Sequence, residues 1–262
     1  EALPGDRFLG AVPVIDTLAD RDTALLAFGR EQSLGAEAYR ALAASIEFAG
    51  LDKPVTIIHL TSPVAGEGKS TTAANLAAAF AETGARVAIV DADVRRPELY
   101  RILKATNDVG LSSVLLGRAS LDDALQDVPG LPGVRLLSPG PVPPNPTKML
   151  YAQRTEDVFD ELRAAYDVVV VDGPPVLPVA DALILTQFSD ITVLVLRSGS
   201  TRRRALRRSR HALARVDAAD LAIVLNAAPL SGPDGYGYYG TYYATKDEGG
   251  EERTRQRRRV RD

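Results

Sequence analysis

A glycine-rich stretch that leads into Lys69, Ser70 and Thr71 is the segment of the sequence best suited to chemistry. It runs TSPVAGEGKSTTAANLA and follows an apolar run. Glycines there let main-chain N–H groups turn inward around phosphate oxygens, and the start of a helix adds a positive dipole end. The Lys69 ammonium would reach the β- and γ-phosphates, and the Ser70 hydroxyl would bind Mg²⁺. The predicted nucleotide site comprises Gly66, Glu67, Gly68, Lys69, Ser70 and Thr71.

The phosphate-loop pattern is incomplete at its first position. A full pattern has a glycine five residues before Gly68, where this chain has Pro63. A glycine-rich turn that merely starts a helix is the alternative. A strand candidate before the loop and a helix candidate after it favour nucleotide binding.

Three acids end apolar runs and are candidates for the chemistry of a bound phosphate. Asp91 and Asp93 close RVAIVDAD, and Asp172 closes VVVVD. Residues two apart on an extended chain share a face, so we expect Asp91 and Asp93 to point into the same crevice. Asp172 is expected to orient Mg²⁺ directly or through a water. One such acid could merely cap a helix, and Asp181 in PVADALIL is predicted to open one.

These residues need a scaffold that brings strand ends together. Six β-type runs alternate with helical stretches, and several are nearly continuous Val, Ile and Leu, as in central parallel strands. The pattern predicts an α/β fold with a doubly wound, mostly parallel sheet, whose ligand lies beyond the carboxyl ends of the strands. Asn226 closes the last run.

Composition limits the classes of partner and site. The 262 residues carry a net charge of −3 and no cysteine. There is no overall basic field for nucleic acid, and disulfides and thiolate metal sites are excluded. No apolar run approaches the roughly 20 residues of a spanning helix, so the chain itself is expected to be soluble. The absence of cysteine favours a cytoplasmic setting. His59 and His211 have no partners at metal-ligand spacing.

Three regions are predicted along the chain. Residues 1–30 form a lead, 31–230 the main domain, and 231–262 a flexible tail. Because the chain begins with Glu1, we expect it to be part of a longer protein. The tail holds a tyrosine cluster that consists of Tyr236, Tyr238, Tyr239, Tyr242 and Tyr243. A sticky glycine- and tyrosine-rich tail is the alternative to a functional cluster.

Arginines cluster in the segment TRRRALRRSRHALARV, which has the periodicity of an amphipathic helix. A solvated outer face is the default interpretation, and a surface for anionic lipid headgroups is the alternative. Arg95 and Arg96, directly after the acid pair, are better placed for catalysis or for a neighbouring subunit.

The chain resembles the bacterial tyrosine kinases of capsule and exopolysaccharide export, the BY-kinases. The resemblance is carried by GEGKSTTAANLA, IVDADVRRP, VVVVDGPPVLPVADA, GLSSVLLG, GPVPPNPTKML and the tyrosine cluster. It implies a P-loop NTPase of the deviant-Walker branch that uses ATP and Mg²⁺ to phosphorylate its own tyrosine cluster. It also implies attachment to a membrane polysaccharide co-polymerase or activator, on the cytoplasmic face of the inner or plasma membrane, and a tyrosine phosphatase as partner. FLGAVPVID resembles the junction that follows the family's membrane helix.

The resemblance also implies roles for single residues. Lys69 binds phosphate, Asp91 receives or orients the tyrosine proton, and Asn226 contacts the adenine. Ser70, Asp93 and Asp172 organise Mg²⁺, and the clustered tyrosines accept the phosphoryl group.

The family's subunits form a ring through a Glu-x-x-Arg-x-x-Arg pattern on an early helix. This chain has Glu37 and Arg40, but Ala43 stands at the third position. Self-association is therefore expected to be weakened, and the pair could serve only as an intrahelical contact.

Two other functions remain open from the sequence. A partition or cell-division switch ATPase would hydrolyse ATP without phosphorylating protein, but such proteins carry a lysine where this chain has Val64. A nucleotide-gated interaction module would need no catalysis at all.

Overall fold

The structure is a computed structural model and describes residues 7–15 and 33–229, except residues 52, 217 and 219. Its strands are Arg7–Pro13 (β1), Ile57–Thr61 (β2), Val87–Asp91 (β3), Leu125–Asp127 (β4), Val134–Leu137 (β5), Val168–Asp172 (β6), Ile191–Arg197 (β7) and Leu221–Ala228 (β8). Its helices are Leu34–Ala49 (α1), Lys69–Glu82 (α2), Leu99–Ile102 (α3), Leu111–Leu115 (α4), Leu121–Ala124 (α5), Pro146–Leu150 (α6), Gln153–Ala165 (α7), Asp181–Leu185 (α8) and Arg203–Ala214 (α9).

The strands form one sheet in the order β1-β8-β7-β2-β6-β3-β5-β4. Every neighbouring pair is parallel except β4 with β5. All residues of β2, β3 and β6 are buried, because helices cover both faces of the sheet. The predicted doubly wound, mostly parallel α/β fold is confirmed.

Alternate residues of the central strands supply two separate cores. Ile58 and Leu60 face the core shared with α1 and α2, whereas Ile57 faces the one that includes residues of α4 and α7. Helix α2 meets the sheet through small side chains such as Ala73 and Ala77, which allow close approach. This packing fixes the start of α2 above the end of β2.

The sequence pattern predicts no strand in residues 1–30 and places them in a lead outside the domain. The structure places Arg7–Pro13 parallel to β8, with Leu9 and Val12 buried. Two irregularities interrupt the pairing, and Gly10 and Pro13 lie in this short run. Such residues are typical of an edge strand, which is why the pattern resembled a punctuated loop.

None of the described helices combines the length and the hydropathy that spanning a bilayer requires.

Candidate active site

The loop between β2 and α2 has the backbone geometry that only glycine adopts readily. Gly66 and Gly68 have φ angles of +84° and +92°. A Cβ at Gly68 would also lie 2.0 Å from Nδ2 of Asn226. Both conformation and space therefore require glycine at position 68, at the start of α2.

Asn226 fastens this loop to the end of β8. Its Nδ2 donates to the main-chain oxygen of Glu67 at 2.9 Å, and its Oδ1 accepts from the main-chain N–H of Ala227 at 2.8 Å. The structure thus gives Asn226 a contact with the loop itself. Its predicted contact with adenine stays a prediction.

The side chain of Glu67 points toward the segment between β7 and α9. Its carboxylate accepts a hydrogen bond from the hydroxyl of Thr201, which precedes α9. Burial raises the pKa of Glu67. This carboxylate links the loop to the segment after β7 and does not line the space open to a nucleotide.

Lys69 lies between two of the predicted acids. Its Nζ is 3.3 Å from Oδ2 of Asp93 and 3.7 Å from Oδ1 of Asp172. Burial alone would lower the pKa of Lys69, but attraction to Asp172 and Asp93 outweighs it and raises the pKa. The ammonium is therefore charged and held at the carboxyl ends of the strands.

Asp91 and Asp172 are opposite each other on β3 and β6, and both are fully buried. Burial, followed by repulsion from Asp172, raises the pKa of Asp91 well above its ordinary value. Burial also raises the pKa of Asp172, despite the nearby charge of Lys69. Two adjacent carboxyl groups in one buried site resist simultaneous ionisation.

The expectation that Asp91 and Asp93 point into one crevice is wrong for Asp91. Strand β3 ends at Asp91, so the alternation of an extended chain does not reach Asp93. The Asp91 carboxylate instead accepts from the N–H of Leu99 at 3.1 Å. Asp93 lines the cavity and accepts from the N–H of Arg96.

A cavity of about 600 Å³ opens beside the loop and is large enough for a nucleotide. Of the predicted residues, its walls include Gly66, Gly68, Lys69, Ser70, Thr71 and Asp93. Three arginines, Arg95, Arg96 and Arg197, also line it. Their charges suit a polyphosphate ligand.

Arg95 is fixed by a buried carboxylate. Its Nε is 2.8 Å from Oδ2 of Asp181, and its Nη2 is 3.0 Å from the hydroxyl of Thr147. The same hydroxyl donates to the other oxygen of Asp181. Asp181 is the first residue of α8, as predicted, but its side chain joins α6 and α8 to the arginine instead of capping the helix.

The acids and the Ser70 hydroxyl fit a magnesium ion. Both carboxylate oxygens of Asp172 and Oδ1 of Asp91 are buried without a hydrogen-bond partner. Within the part of the chain that the structure describes, no three His, Cys, Asp or Glu side chains cluster closely enough to hold a metal by themselves. Mg²⁺ needs no such cluster, because it binds through one or two carboxylates together with substrate phosphates and water.

The two predicted interface residues are engaged within the chain. Arg40 contacts Glu37 on its own helix and donates to Glu82 of α2 at 2.7 Å. Ala43 is buried. The tyrosine cluster lies outside the described residues.

The sequence prediction missed several residues of the cavity wall. Glu98, Pro174, Pro175, Pro178, Val179 and Arg197 all line it. A signal existed for the prolines, which lie within six residues after Asp172 in VVVVDGPPVLPVADA. No signal existed for Arg197, since a single arginine at the end of a strand resembles any exposed residue.

Known proteins match this chain over most of its length. A family model described as an AAA domain matches residues 55–207, which is more than half of the chain. The tyrosine-protein kinase YwqD of Bacillus subtilis is 41% identical over 217 residues, covering 83% of this chain and 91% of the relative.

Solved structures agree with this match. The chimerical protein CapA2B2 superposes with a TM-score of 0.79 at 32% identity, covering 86% of this chain and 96% of that structure. The kinase domain of the Escherichia coli tyrosine kinase ETK gives 0.78 at 26% identity, covering 88% and 94%. A cobyrinic acid a,c-diamide synthase from Mycobacterium smegmatis, with a bound ATP analog and magnesium, gives 0.56 at 26% identity and covers 66% and 74%. On the shared fold and the extent of these matches, the chain belongs to the family of bacterial tyrosine-protein kinases.

Proposed function

We propose that this kinase transfers the γ-phosphoryl group of MgATP to the tyrosine cluster of another copy of the same chain. The reaction would serve a capsule or exopolysaccharide pathway. The observation that carries the proposal is Lys69, held between Asp93 and Asp172 beside a cavity with three arginines. In this proposal Lys69 and the arginines supply positive groups for the β- and γ-phosphates, and Asp93 and Asp172 supply carboxylates for Mg²⁺.

The loop, Lys69 and Ser70 bind and orient the triphosphate in this proposal. Ser70, Asp93 and Asp172 would hold Mg²⁺, which when bound neutralises phosphate charge. Asn226, at the rim of the loop, is proposed to contact the adenine. Glu67 acts indirectly, because its carboxylate fixes the loop to Thr201.

The transfer exchanges one P–O bond for another. The phenol oxygen forms a bond to the γ-phosphorus while the bond to the bridging oxygen of ADP breaks, and ADP leaves with that electron pair. We assign the phenol proton to Asp91. Its buried, unpartnered Oδ1 supports this role, which requires the carboxyl group to become accessible to the phenol, because Asp91 does not line the cavity in this structure.

Self-association and partners follow the same proposal. A trans reaction needs two copies, and Glu37 and Arg40 on α1 would contribute to their interface. Ala43 offers no charge there, so we propose a weak assembly. A membrane co-polymerase segment or activator and a tyrosine phosphatase are the other proposed partners, and attachment through the co-polymerase would place the kinase at the cytoplasmic face of the membrane.

Incubation of the purified chain with MgATP tests the proposal by phosphotyrosine detection. We expect phosphotyrosine on the wild type and none on Lys69→Met or on a variant with all five clustered tyrosines changed to Phe. Lys53→Met, at an exposed position, is the matched control and should stay active. Hydrolysis of ATP without phosphotyrosine would favour a switch ATPase. Nucleotide binding without either reaction would favour a gated interaction module.

A further inference from the structure

The outer side of α9 and the residue that follows the helix, Arg215, together provide five arginines that the proposed reaction does not use. We call this surface the α9 arginine face, and it consists of Arg203, Arg204, Arg207, Arg208 and Arg215. All five are exposed, whereas Ser209 and Leu213 on the opposite side are buried against the sheet. The amphipathic helix predicted from the sequence therefore has a strongly basic outer side, which also includes the exposed His211 and Ala214.

The α9 arginine face has no counter-charge among the residues that the structure describes. None of the five side chains forms an ion pair or hydrogen bond there, whereas Arg86 and Arg154 at other exposed positions pair with acids. Like charges one turn apart repel, so the bare cluster costs stability. An anionic ligand would offset that repulsion.

The chemistry of this face favours discrete phosphate groups. Each guanidinium group can bind a phosphate through two parallel hydrogen bonds. A helix that inserts into a membrane surface carries apolar side chains on its lipid side, and a helix without them binds anionic lipid through charge alone. Every large apolar side chain that is exposed in the described part of the chain lies outside α9. The face therefore fits phosphate monoesters better than insertion into a lipid surface.

The chain itself brings such groups within reach. Arg197, at the end of β7, is paired with Asn226 of β8, and α9 begins six residues after Arg197. Strand β8 thus ends, at Ala228, on the side of the sheet where α9 starts. Tyr236 follows Ala228 by eight residues, which span at most roughly 26–29 Å. The 12 residues of α9 extend about 18 Å.

We propose that the α9 arginine face binds the phosphorylated tyrosines 236–243 of the same chain. This rests on the proposed function, which produces those phosphotyrosines. Residues 230–262 contain seven basic and six acidic side chains, so the unmodified tail is nearly neutral. Each phosphate adds about −1.5 to −2 charges, which makes the interaction dependent on phosphorylation. Docking on α9 would remove a modified tail from the cavity and leave room for an unmodified one.

A synthetic peptide of residues 234–244, phosphorylated on Tyr239 and Tyr242, tests the proposal without relying on the kinase reaction. Its binding to the dephosphorylated full-length chain is measured by fluorescence anisotropy without nucleotide. We expect the triple variant Arg203→Gln, Arg204→Gln, Arg207→Gln to weaken binding at least tenfold. Salt should weaken wild-type binding, and the unphosphorylated peptide should not bind.

The matched control removes the same number of exposed cations elsewhere, through Lys53→Gln, Lys104→Gln and Arg118→Gln. It should bind the phosphopeptide like the wild type. Circular dichroism and thermal melting establish that both variants are folded. Equal phosphopeptide binding by the wild type and the α9 triple variant would overturn the proposal.

Two more binding measurements distinguish tail docking from a membrane surface and from docking between chains. If the α9 variant loses binding to phosphatidylserine vesicles but keeps the phosphopeptide, the face is a membrane surface and the proposal is overturned. If the full chain phosphorylated on its own tail still binds the peptide as tightly as the dephosphorylated chain, docking within one chain is overturned. Failure of the chain to form phosphotyrosine with MgATP would overturn the proposed function while the phosphopeptide result still stands.

Discussion

Asp91 combines complete burial with one satisfied and one unsatisfied carboxylate oxygen. One oxygen, Oδ2, accepts a hydrogen bond from the N–H of Leu99 at the start of α3, which is a structural role. The other oxygen is buried without a partner next to Asp172 and Lys69. A residue with both properties can be tested by a substitution that keeps its shape and removes only its acidity.

We predict that Asp91→Asn folds with unchanged or slightly higher stability, because the amide oxygen still accepts from Leu99 and the repulsion with Asp172 is gone. Phosphotyrosine formation should fall about 100-fold or more, which is the usual contribution of a general base. Mg-ADP affinity, measured by calorimetry, should change by less than about threefold. Activity within tenfold of the wild type would remove Asp91 from the role of proton acceptor.

His59 is a second buried titratable residue, on the face of β2 opposite α2. Its Nδ1 is 3.3 Å from the hydroxyl of Thr186, and its Nε2 has no partner. Burial, followed by the charge of Lys69, lowers the pKa of His59 to about 3. Gly173 must be glycine beside it, because a Cβ there would lie 2.1 Å from Nε2.

This histidine should make folding sensitive to acid. Below about pH 6.5 the unfolded chain takes up a proton that the folded state excludes, so stability is present above that pH and is lost toward pH 3. Between pH 7.5 and 5.0 the wild type should lose about 2 kcal/mol more than His59→Asn. Urea titrations of both proteins at the two pH values measure this difference, and equal losses would contradict the prediction.

At the scale of elements, the start of α4 is held by an unusually close main-chain contact. Gly110 is extended, and the N–H of Leu111 donates to the oxygen of Ser138 at 2.7 Å. A Cβ at Gly110 would lie 2.0 Å from that oxygen and 2.5 Å from the nitrogen of Gly140. Backbone atoms cannot move aside as a flexible side chain can.

Gly110→Ala should therefore destabilise the fold by about 3 kcal/mol, as overpacking does at rigid sites. Gly130→Ala is the comparison, since no atom lies within 4 Å of its Cβ and only a φ of +79° opposes the change. That strain costs about 1–2 kcal/mol. Urea midpoints of the two variants should differ accordingly, and equal midpoints would show that α4 moves aside.

The sequence was sufficient for elements with a strong pattern and insufficient for weak ones. Continuous apolar runs predicted β2, β3 and β6, because burial on both faces leaves no other composition. Strand β1 was missed since its pairing with β8 depends on a partner more than 200 residues away. Within the site, the sequence correctly predicted that the loop and Asp93 face the cavity. It could not predict that Asp91 turns toward α3, because that depends on where β3 ends.

At the scale of the whole molecule, β1 and β4 are the two edges of the sheet. Strand β1 covers β8 and brings Leu9 and Val12 into the core that includes α1 and α2. Without it, β8 would present its main-chain polar groups at an exposed edge.

Deletion of residues 1–13 should destabilise the kinase by about 3–6 kcal/mol, from the loss of two buried side chains. It should also increase self-association through the exposed edge of β8. Deletion of residues 1–6 alone is the control and should leave the urea midpoint unchanged. Chemical denaturation and light scattering check both effects, and a stable, monodisperse 1–13 deletion would contradict the assignment of β1 to this domain.

The hydrogen bond from Asn226 to the carbonyl of Glu67 has a mechanical consequence. Asn226 binds the phosphate loop and is also close in sequence to the tyrosine cluster, because only nine residues separate Asn226 from Tyr236. A longer or shorter connection between Asn226 and Tyr236 would change which neighbouring active site a tyrosine can enter, while Asn226 and the nucleotide site stay as they are.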